Sequence, residues 1–295
     1  MNILLTGGTG FLGNALTKSL TKDGHTVTIL SRKAKTAENR YVTYAKWNGK
    51  EMPLEVRVAR FEVVINLVGA SIADKKWTDA YKKELLDSRI EATQACVAYI
   101  NACTIKPKVF LSSSAIGYYG GDSPQESDEN APNQDDFMGN LCRQWEEASK
   151  EATCRTVQLR TGVILGKNGG AMAQMLPIYK MCLGGRFASG KQGFSWMHLT
   201  DWVAAIHFLI EKESLSGAVN LVSPQYPTQN AFSNALDKAL GRKNLFVLPK
   251  FALDIIFGER SILFWGGQKV VPKKLLDAGF VFQFAALDKA LISLV

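Results

Sequence analysis

A chain of 295 residues with 46% hydrophobic and 21% charged residues can bury a sizeable core and has the composition of an ordinary globular protein. Its net charge of +8 does not come from a basic run, and no aromatic-plus-basic pattern accompanies it, which points away from nucleic acid and toward a basic surface that attracts anionic small molecules. No apolar run reaches the ~18 residues of a membrane span, and five cysteines without a Cys-x-x-Cys pair, beside three scattered histidines, argue against a disulfide framework or a metal cluster.

The first strand is expected from residue 2 onward, so no signal peptide is expected and the reading is a cytoplasmic protein with reduced thiols. Ile3-Leu4-Leu5-Thr6 predicts a short buried strand. Gly7-Gly8-Thr9-Gly10-Phe11-Leu12-Gly13 follows, and then residues 14–20, where Leu16 and Leu20 repeat at helical spacing. Strand, glycine turn and helix in this order cradle a dinucleotide pyrophosphate. The tight turn needs residues without a Cβ, and the free N–H groups at the helix start favour an anion.

Val27-Thr28-Ile29-Leu30 predicts a second strand after Gly24, Val42-Thr43-Tyr44 a weaker third, and residues 63–68 a strand buried on both faces. A long amphipathic helix is expected over 79–102, a strand at Val109-Phe110-Leu111, a helix over 138–151 and a strand at Val157-Gln158-Leu159. This alternation implies an α/β fold with a doubly wound parallel (Rossmann) sheet.

After Gly166 the texture changes. Gly169-Gly170, Gly184-Gly185, Gly190 and Gly193 flank a Met-rich helix at 171–182, and serve either as loops around a substrate pocket or as ordinary connections. Residues 219–222 predict one more strand, followed by helices at 229–240 and 252–257 and an amphipathic tail at 275–295. The expected organisation is a dinucleotide-binding domain of 1–165 plus 195–222 and a smaller substrate lobe of 166–194 plus 223–295.

The end of the second strand reads Leu30-Ser31-Arg32-Lys33, and the next acid is Glu38. An acid at this place holds a ribose 2′-OH, whereas a base accommodates a 2′-phosphate. A hydroxyl followed by two cations favours NADP over NAD, unless both cations are simply solvated.

With these elements the chain resembles the extended branch of the short-chain dehydrogenase/reductase superfamily. Gly7, Gly10 and Gly13 match its Gly-x-x-Gly-x-x-Gly, Asn66-Leu67-Val68-Gly69 its Asn-x-x-Gly, and Ser112-Ser113-Ser114 its serine-rich strand end. Trp196-Met197-His198-Leu199-Thr200-Asp201 is similar to its Tyr-Ile-His-Val-x-Asp segment. Ala73 to Thr78, Ser114 to Gly120, Leu159-Arg160-Thr161-Gly162-Val163 and Phe194-Ser195-Trp196 look like the sugar-nucleotide epimerase-like group within it, as do Phe257-Gly258-Glu259 and Ala278-Gly279-Phe280 in a C-terminal module of unknown role. The candidate cofactor contacts are Gly7, Thr9, Gly10, Phe11, Leu12, Gly13, Ser31, Arg32, Asn66, Leu67, Val68, Gly69, Arg89, Ser112 and Thr161. Many relatives pair through the helix at 79–102, so the resemblance implies a homodimer.

Chemistry in that superfamily needs a Ser, a Tyr and a Lys four residues after the Tyr, because a nearby ammonium brings the phenol's pKa of about 10 toward neutrality. Here the residues four beyond the eight tyrosines are Ala45, Asn48, Leu85, Cys103, Asp122, Ser123, Leu183 and Asn230. None is lysine. Where the superfamily places the pair, the chain reads Asp136-Phe137-Met138-Gly139-Asn140-Leu141-Cys142-Arg143. Ser114 remains as a catalytic candidate and Tyr118 offers a hydroxyl from another direction, with Tyr119 beside it. Arg143 is either a site cation or a helix-surface charge. His198 and Asp201 are read as structural or substrate-lining groups, and Lys75, Lys76, Arg186 and Lys191 as an anion pocket or as solvated loops. Two functions follow from the resemblance: an NADP-dependent oxidoreductase or epimerase acting on a polar small molecule such as a nucleotide-linked one, or an NADP(H)-binding sensor without chemistry.

Overall fold

The computed structural model describes residues 1–37, 39–167, 169–243 and 246–295. In chain order the first half contains β1 (Asn2–Thr6), α1 (Phe11–Lys22), β2 (Thr26–Ser31), β3 (Val42–Lys46), α2 (Leu54–Arg57), β4 (Val63–Asn66), α3 (Asp79–Ala102) and β5 (Val109–Ala115). Next come β6 (Ser123–Ser127), α4 (Phe137–Lys150), β7 (Thr156–Thr161), β8 (Val163–Gly166), α5 (Gly170–Lys180) and β9 (Gly185–Phe187). The remainder is β10 (Trp196–His198), α6 (Leu199–Glu211), β11 (Gly217–Leu221), α7 (Gln229–Leu240), β12 (Phe246–Leu248), α8 (Lys250–Phe257), α9 (Ile262–Trp265), β13 (Gln268–Val270), α10 (Lys273–Asp277) and α11 (Leu287–Ile292).

Seven strands form one parallel sheet in the order β11-β7-β5-β4-β1-β2-β3, the expected doubly wound Rossmann arrangement. Strand periodicity sends Ile3 and Leu5 of β1 into the core under α1 and α6, and Leu4 into the opposite core under α3. All three are fully buried, so β1 reads as a continuous apolar run rather than an alternating one. The two long helices that flank the site start at side-chain caps. Thr78 Oγ1 accepts the Tyr81 N–H at 3.2 Å for α3, and the Asp136 carboxylate accepts the Gly139 N–H at 2.7 Å for α4.

Several boundaries differ from expectation. The run at 63–68 stops being a strand at Asn66, whose Oδ1 accepts the Thr6 hydroxyl at 2.6 Å and turns the chain out of the sheet. α1 begins at Phe11 rather than 14. The tail at 275–295 is two short helices separated by Gly279, which has φ 85°. Three two-stranded parallel pairs, β8 with β10, β9 with β12 and β6 with β13, were not foreseen. A third core gathers Leu165, Met172, Trp196, Phe232, Leu287 and Leu291 from these later elements. Among the described residues no helix is long and apolar enough to cross a membrane, and no cluster of His, Cys, Asp and Glu is arranged to hold a metal.

Candidate active site

The glycine turn closes at the C-terminal edge of β1, where the sheet order reverses direction and ligands bind in this architecture. Gly7 has φ +70°, and a Cβ there would sit 2.8 Å from the Leu67 carbonyl. A Cβ on Gly13 would lie 2.3 Å from the Gly7 oxygen and 2.5 Å from the Gly8 Cα, so α1 rests directly on the turn. The Gly10 N–H donates to the Gly7 carbonyl at 3.0 Å and tightens it.

A groove of about 450 Å³ opens beside this turn, lined by Gly7, Thr9 and Gly10, by Ser31 and Arg32, and by Leu67, Val68 and Gly69. The fold thus brings together eight of the candidate cofactor contacts from three separate strand ends. Trp47, Asn48 and Gly49 also line it and were missed, as were Leu30, Ala70, Ser88 and two carboxylates, Glu84 and Glu91. The signal for the first three is a Trp-Asn-Gly turn directly after β3. The Trp47 indole N–H is buried without a partner, while its backbone N–H donates to the Ser31 carbonyl at 2.9 Å. Glu38, the acid nearest the predicted phosphate end, lies outside the described residues.

The other cofactor candidates sit behind the groove or beside it. Leu12 packs on the core under α1. Asn66 links Thr6 to Thr93, its Nδ2 donating to Thr93 Oγ1 at 2.9 Å, and its neighbour in register, Ser112, is buried with no partner for Oγ. Arg89 lies under the loop after β4: Nη2 donates to the Ala70 carbonyl at 3.0 Å and Nη1 to the Leu85 carbonyl at 2.8 Å, with the guanidinium over Trp145. Thr161 accepts the Trp202 indole N–H at 3.4 Å. Phe11 fills a slot between glycines. A Cβ on Gly166, Gly169 or Gly170 would come within 2.6, 2.2 or 3.1 Å of its ring.

Ser114 and Tyr118 meet around one buried ion pair. The Ser114 hydroxyl donates to Glu146 Oε1 at 2.7 Å, and Arg160 holds the same carboxylate through Nε at 2.8 Å and Nη2 at 2.9 Å. The Arg160 carbon Cζ lies 3.5 Å from the centre of the Tyr118 ring, a stacked cation–π contact. Nη1 of Arg160 donates to the Tyr119 hydroxyl at 2.9 Å, which donates in turn to Asn220 Oδ1 at 2.8 Å. Burial pushes the Tyr119 phenol up to about 12, against the pull of Arg160. With its proton committed to Glu146, the buried Ser114 oxygen retains lone pairs that can accept a hydrogen bond.

The place of the missing dyad is apolar. Phe137 and Met138 start α4, and burial pushes the Cys142 thiol up to about 12, so it stays protonated. Arg143 pairs with Glu147 at 2.9 Å on the exposed side of α4 and supplies no cation to Ser114. His198 and Asp201 are structural. Asp201 accepts the Gln283 and Phe284 N–H groups at 2.8 and 2.9 Å, and His198 stacks on Phe284 with ring centres 3.9 Å apart. Lys75 is paired with Glu84 at 3.0 Å, and none of Lys75, Lys76, Arg186 or Lys191 lines the groove.

The sequence model of the NAD dependent epimerase/dehydratase family matches residues 3–221. The chain belongs to that family. A domain of unknown function (DUF1731) matches residues 248–294 of this family member. Over the whole chain it is 36% identical to the epimerase family protein YfhF of Bacillus subtilis, covering 98% of that protein, and 35% identical to the mouse epimerase family protein SDR39U1, covering 100% of it. The crystal structure of human SDR39U1 (isoform2) with NADPH superposes with a TM-score of 0.91 at 34% identity, over 100% of this chain and 99% of that one. A UDP-glucose 4-epimerase from Thermotoga maritima, with UDP-glucose, shares the fold at 18% identity and a TM-score of 0.77, over 100% of this chain and 97% of that one.

Proposed function

We propose that this family member binds NADP(H) in the groove at the glycine turn and acts as an extended-type oxidoreductase or epimerase on a polar substrate, such as a nucleotide-linked one. The observation that carries the reading is the joint placement of Ser31 and Arg32 with Gly7, Thr9 and Gly10 on one groove. A glycine turn that leaves no room for a Cβ fits a dinucleotide, and a human relative has been crystallised with NADPH. When bound, that cofactor supplies or accepts hydride.

The chain's own part is to place Ser114 as hydrogen-bond acceptor for a substrate hydroxyl, with Tyr118 as the second hydroxyl at the site and no Tyr-x-x-x-Lys dyad. The dinucleotide domain then comprises 1–165 plus 195–222, the substrate lobe 166–194 plus 223–295, and the protein acts in the cytoplasm. A second reading, an NADP(H) sensor without chemistry, is favoured by Phe137 and Met138 standing where a phenol is expected. The test of the shared part is titration of NADPH and NADH into wild type and Arg32→Ala. NADPH is expected to bind more tightly than NADH, and the variant to lose roughly 1.5–3 kcal/mol toward NADPH alone. A preference for NADPH untouched by the substitution overturns the assignment.

A further inference from the structure

A second cavity, of about 440 Å³, lies where the C-terminal module meets α3 and α4. Its walls are Trp77 and Phe137 from the dinucleotide fold and Ile262 and Trp265 from the module, with Met138 between them. Trp77 and Phe137 pack edge to face at 5.1 Å. Its volume falls within the range of small-molecule sites.

Charge decides what this cavity accepts. No lysine or arginine is among its lining residues, and the two ammonium groups nearest it, Lys82 and Lys250, are already paired with Glu259 and Asp254, so a diphosphate would find no free counter-ion. The three carboxylates among its lining residues are already engaged. Asp136 accepts the Gly121 and Gly139 N–H groups, both at 2.7 Å; Asp254 accepts the Trp265 N–H at 3.0 Å and pairs with Lys250 at 2.7 Å; Glu259 pairs with Lys82. Lys82 and Lys250 also cover the Phe137 and Trp265 rings, at 5.3 and 4.1 Å, from outside the lining. The interior is therefore apolar, aromatic and electrically satisfied.

The cavity also adjoins the Ser114–Tyr118 segment. A Cβ on Gly117 would meet Met138 Cε at 3.0 Å, so the Met138 side chain touches the backbone beside Tyr118 and lines the cavity as well. We infer that this cavity is the seat for the body of the substrate, that the body is an uncharged, flat aromatic or conjugated ring system rather than a sugar nucleotide, and that the C-terminal module exists in part to wall it. The inference rests on the reading of Ser114 as the reacting end, where the substrate carries its polar oxygen, and it narrows the polar class proposed above to a molecule with a polar head and an apolar body.

The test is isothermal titration of the full chain with 2-naphthaldehyde and with UDP-glucose, each with and without NADPH, in wild type, Trp265→Ala and Ile262→Glu. Thermal unfolding checks that both variants fold. Naphthaldehyde is expected to bind wild type with or without cofactor, and each variant to bind it at least tenfold more weakly while NADPH affinity is unchanged. UDP-glucose is expected not to bind. Variants that bind naphthaldehyde as wild type does, failure of wild type to bind it, or UDP-glucose binding lost in the same variants, each overturn the inference. Absence of NADPH binding in wild type instead defeats the cofactor reading alone, because the cofactor-free titrations report on the cavity independently.

Discussion

The Arg160 guanidinium meets the Glu146 carboxylate edge to edge, at 2.8 and 2.9 Å, with only 4% and 2% of the two side chains exposed. Arg160 lies on β7 and Glu146 on α4, so the pair pins helix to sheet directly behind Ser114. Removing one partner strands the other's charge in the interior. Arg160→Met is expected to lose about 3–5 kcal/mol, and the double variant Glu146→Gln/Arg160→Met to recover much of that loss. Urea unfolding of the single and double variants measures the coupling. An Arg160→Met protein within about 1 kcal/mol of wild type would contradict the account.

Ser114→Ala removes one hydrogen bond to a carboxylate that keeps both of its bonds to Arg160. A stability loss of about 1 kcal/mol is expected, with NADPH affinity retained. Turnover of any substrate found by monitoring NADPH oxidation should fall by about 10²-fold or more. An active substrate turned over equally fast by the variant removes Ser114 from the chemistry.

Gly13 and Gly24 separate crowding from backbone strain. Gly13→Ala would place a methyl 2.3 Å from a backbone oxygen that cannot move without opening the turn. Gly24 has φ +79° with nothing within 4 Å of a Cβ. The first substitution is expected to cost roughly 2–3 kcal/mol and to abolish NADPH binding. The second should cost only about 1 kcal/mol of stability. Thermal unfolding with and without NADPH tells them apart, and equal effects would mean that the turn does not depend on close approach.

His198 gives the fold a pH-dependent fastening. Its Nδ1 accepts the Thr200 N–H at 3.1 Å, and burial lowers its pKa from 6.5 despite the nearby Asp201. The folded chain therefore binds its proton less readily than the unfolded chain does. Stability from this residue is complete above pH 6.5 and is lost as pH falls below that value toward the depressed one. His25 and His207 are also lowered by burial and act in the same window. Glu129 acts with opposite sign, since burial raises its pKa from 4.5, and what it contributes is complete below that value and lost as pH rises. Urea midpoints are expected to drop between pH 7 and pH 5, less steeply in His198→Asn, which keeps a cap acceptor. An identical slope in the variant would exclude His198 as a source.

The sheet was legible because its strands carry short clusters of β-branched and apolar residues bounded by turn residues, and its helices repeat at 3.6. The paired strands Gly185–Phe187 and Phe246–Leu248 are three residues each, too short to carry a period, and their partners lie about sixty residues apart in the chain. The absent Tyr-Lys dyad could be counted directly. Its replacement could not: Glu146 and Arg160 are fourteen positions apart, on elements that meet only after the sheet forms. The Trp47 wall shows the same limit, since its importance comes from β3 lying beside β2, not from any local pattern.

Phe11 opens α1 at the dinucleotide turn, yet its ring is seated among Gly166, Gly169 and Gly170, where β8 hands over to α5. One aromatic plate thereby serves as a mortise joint between the start of α1 and the junction of β8 with α5. A shift of the turn by an ångström would be passed to the base of α5, and a bulky residue at any of the three glycines would press back on the turn. The turn and the base of α5 thus share a mechanical part, and a redesign of one has to accommodate the other.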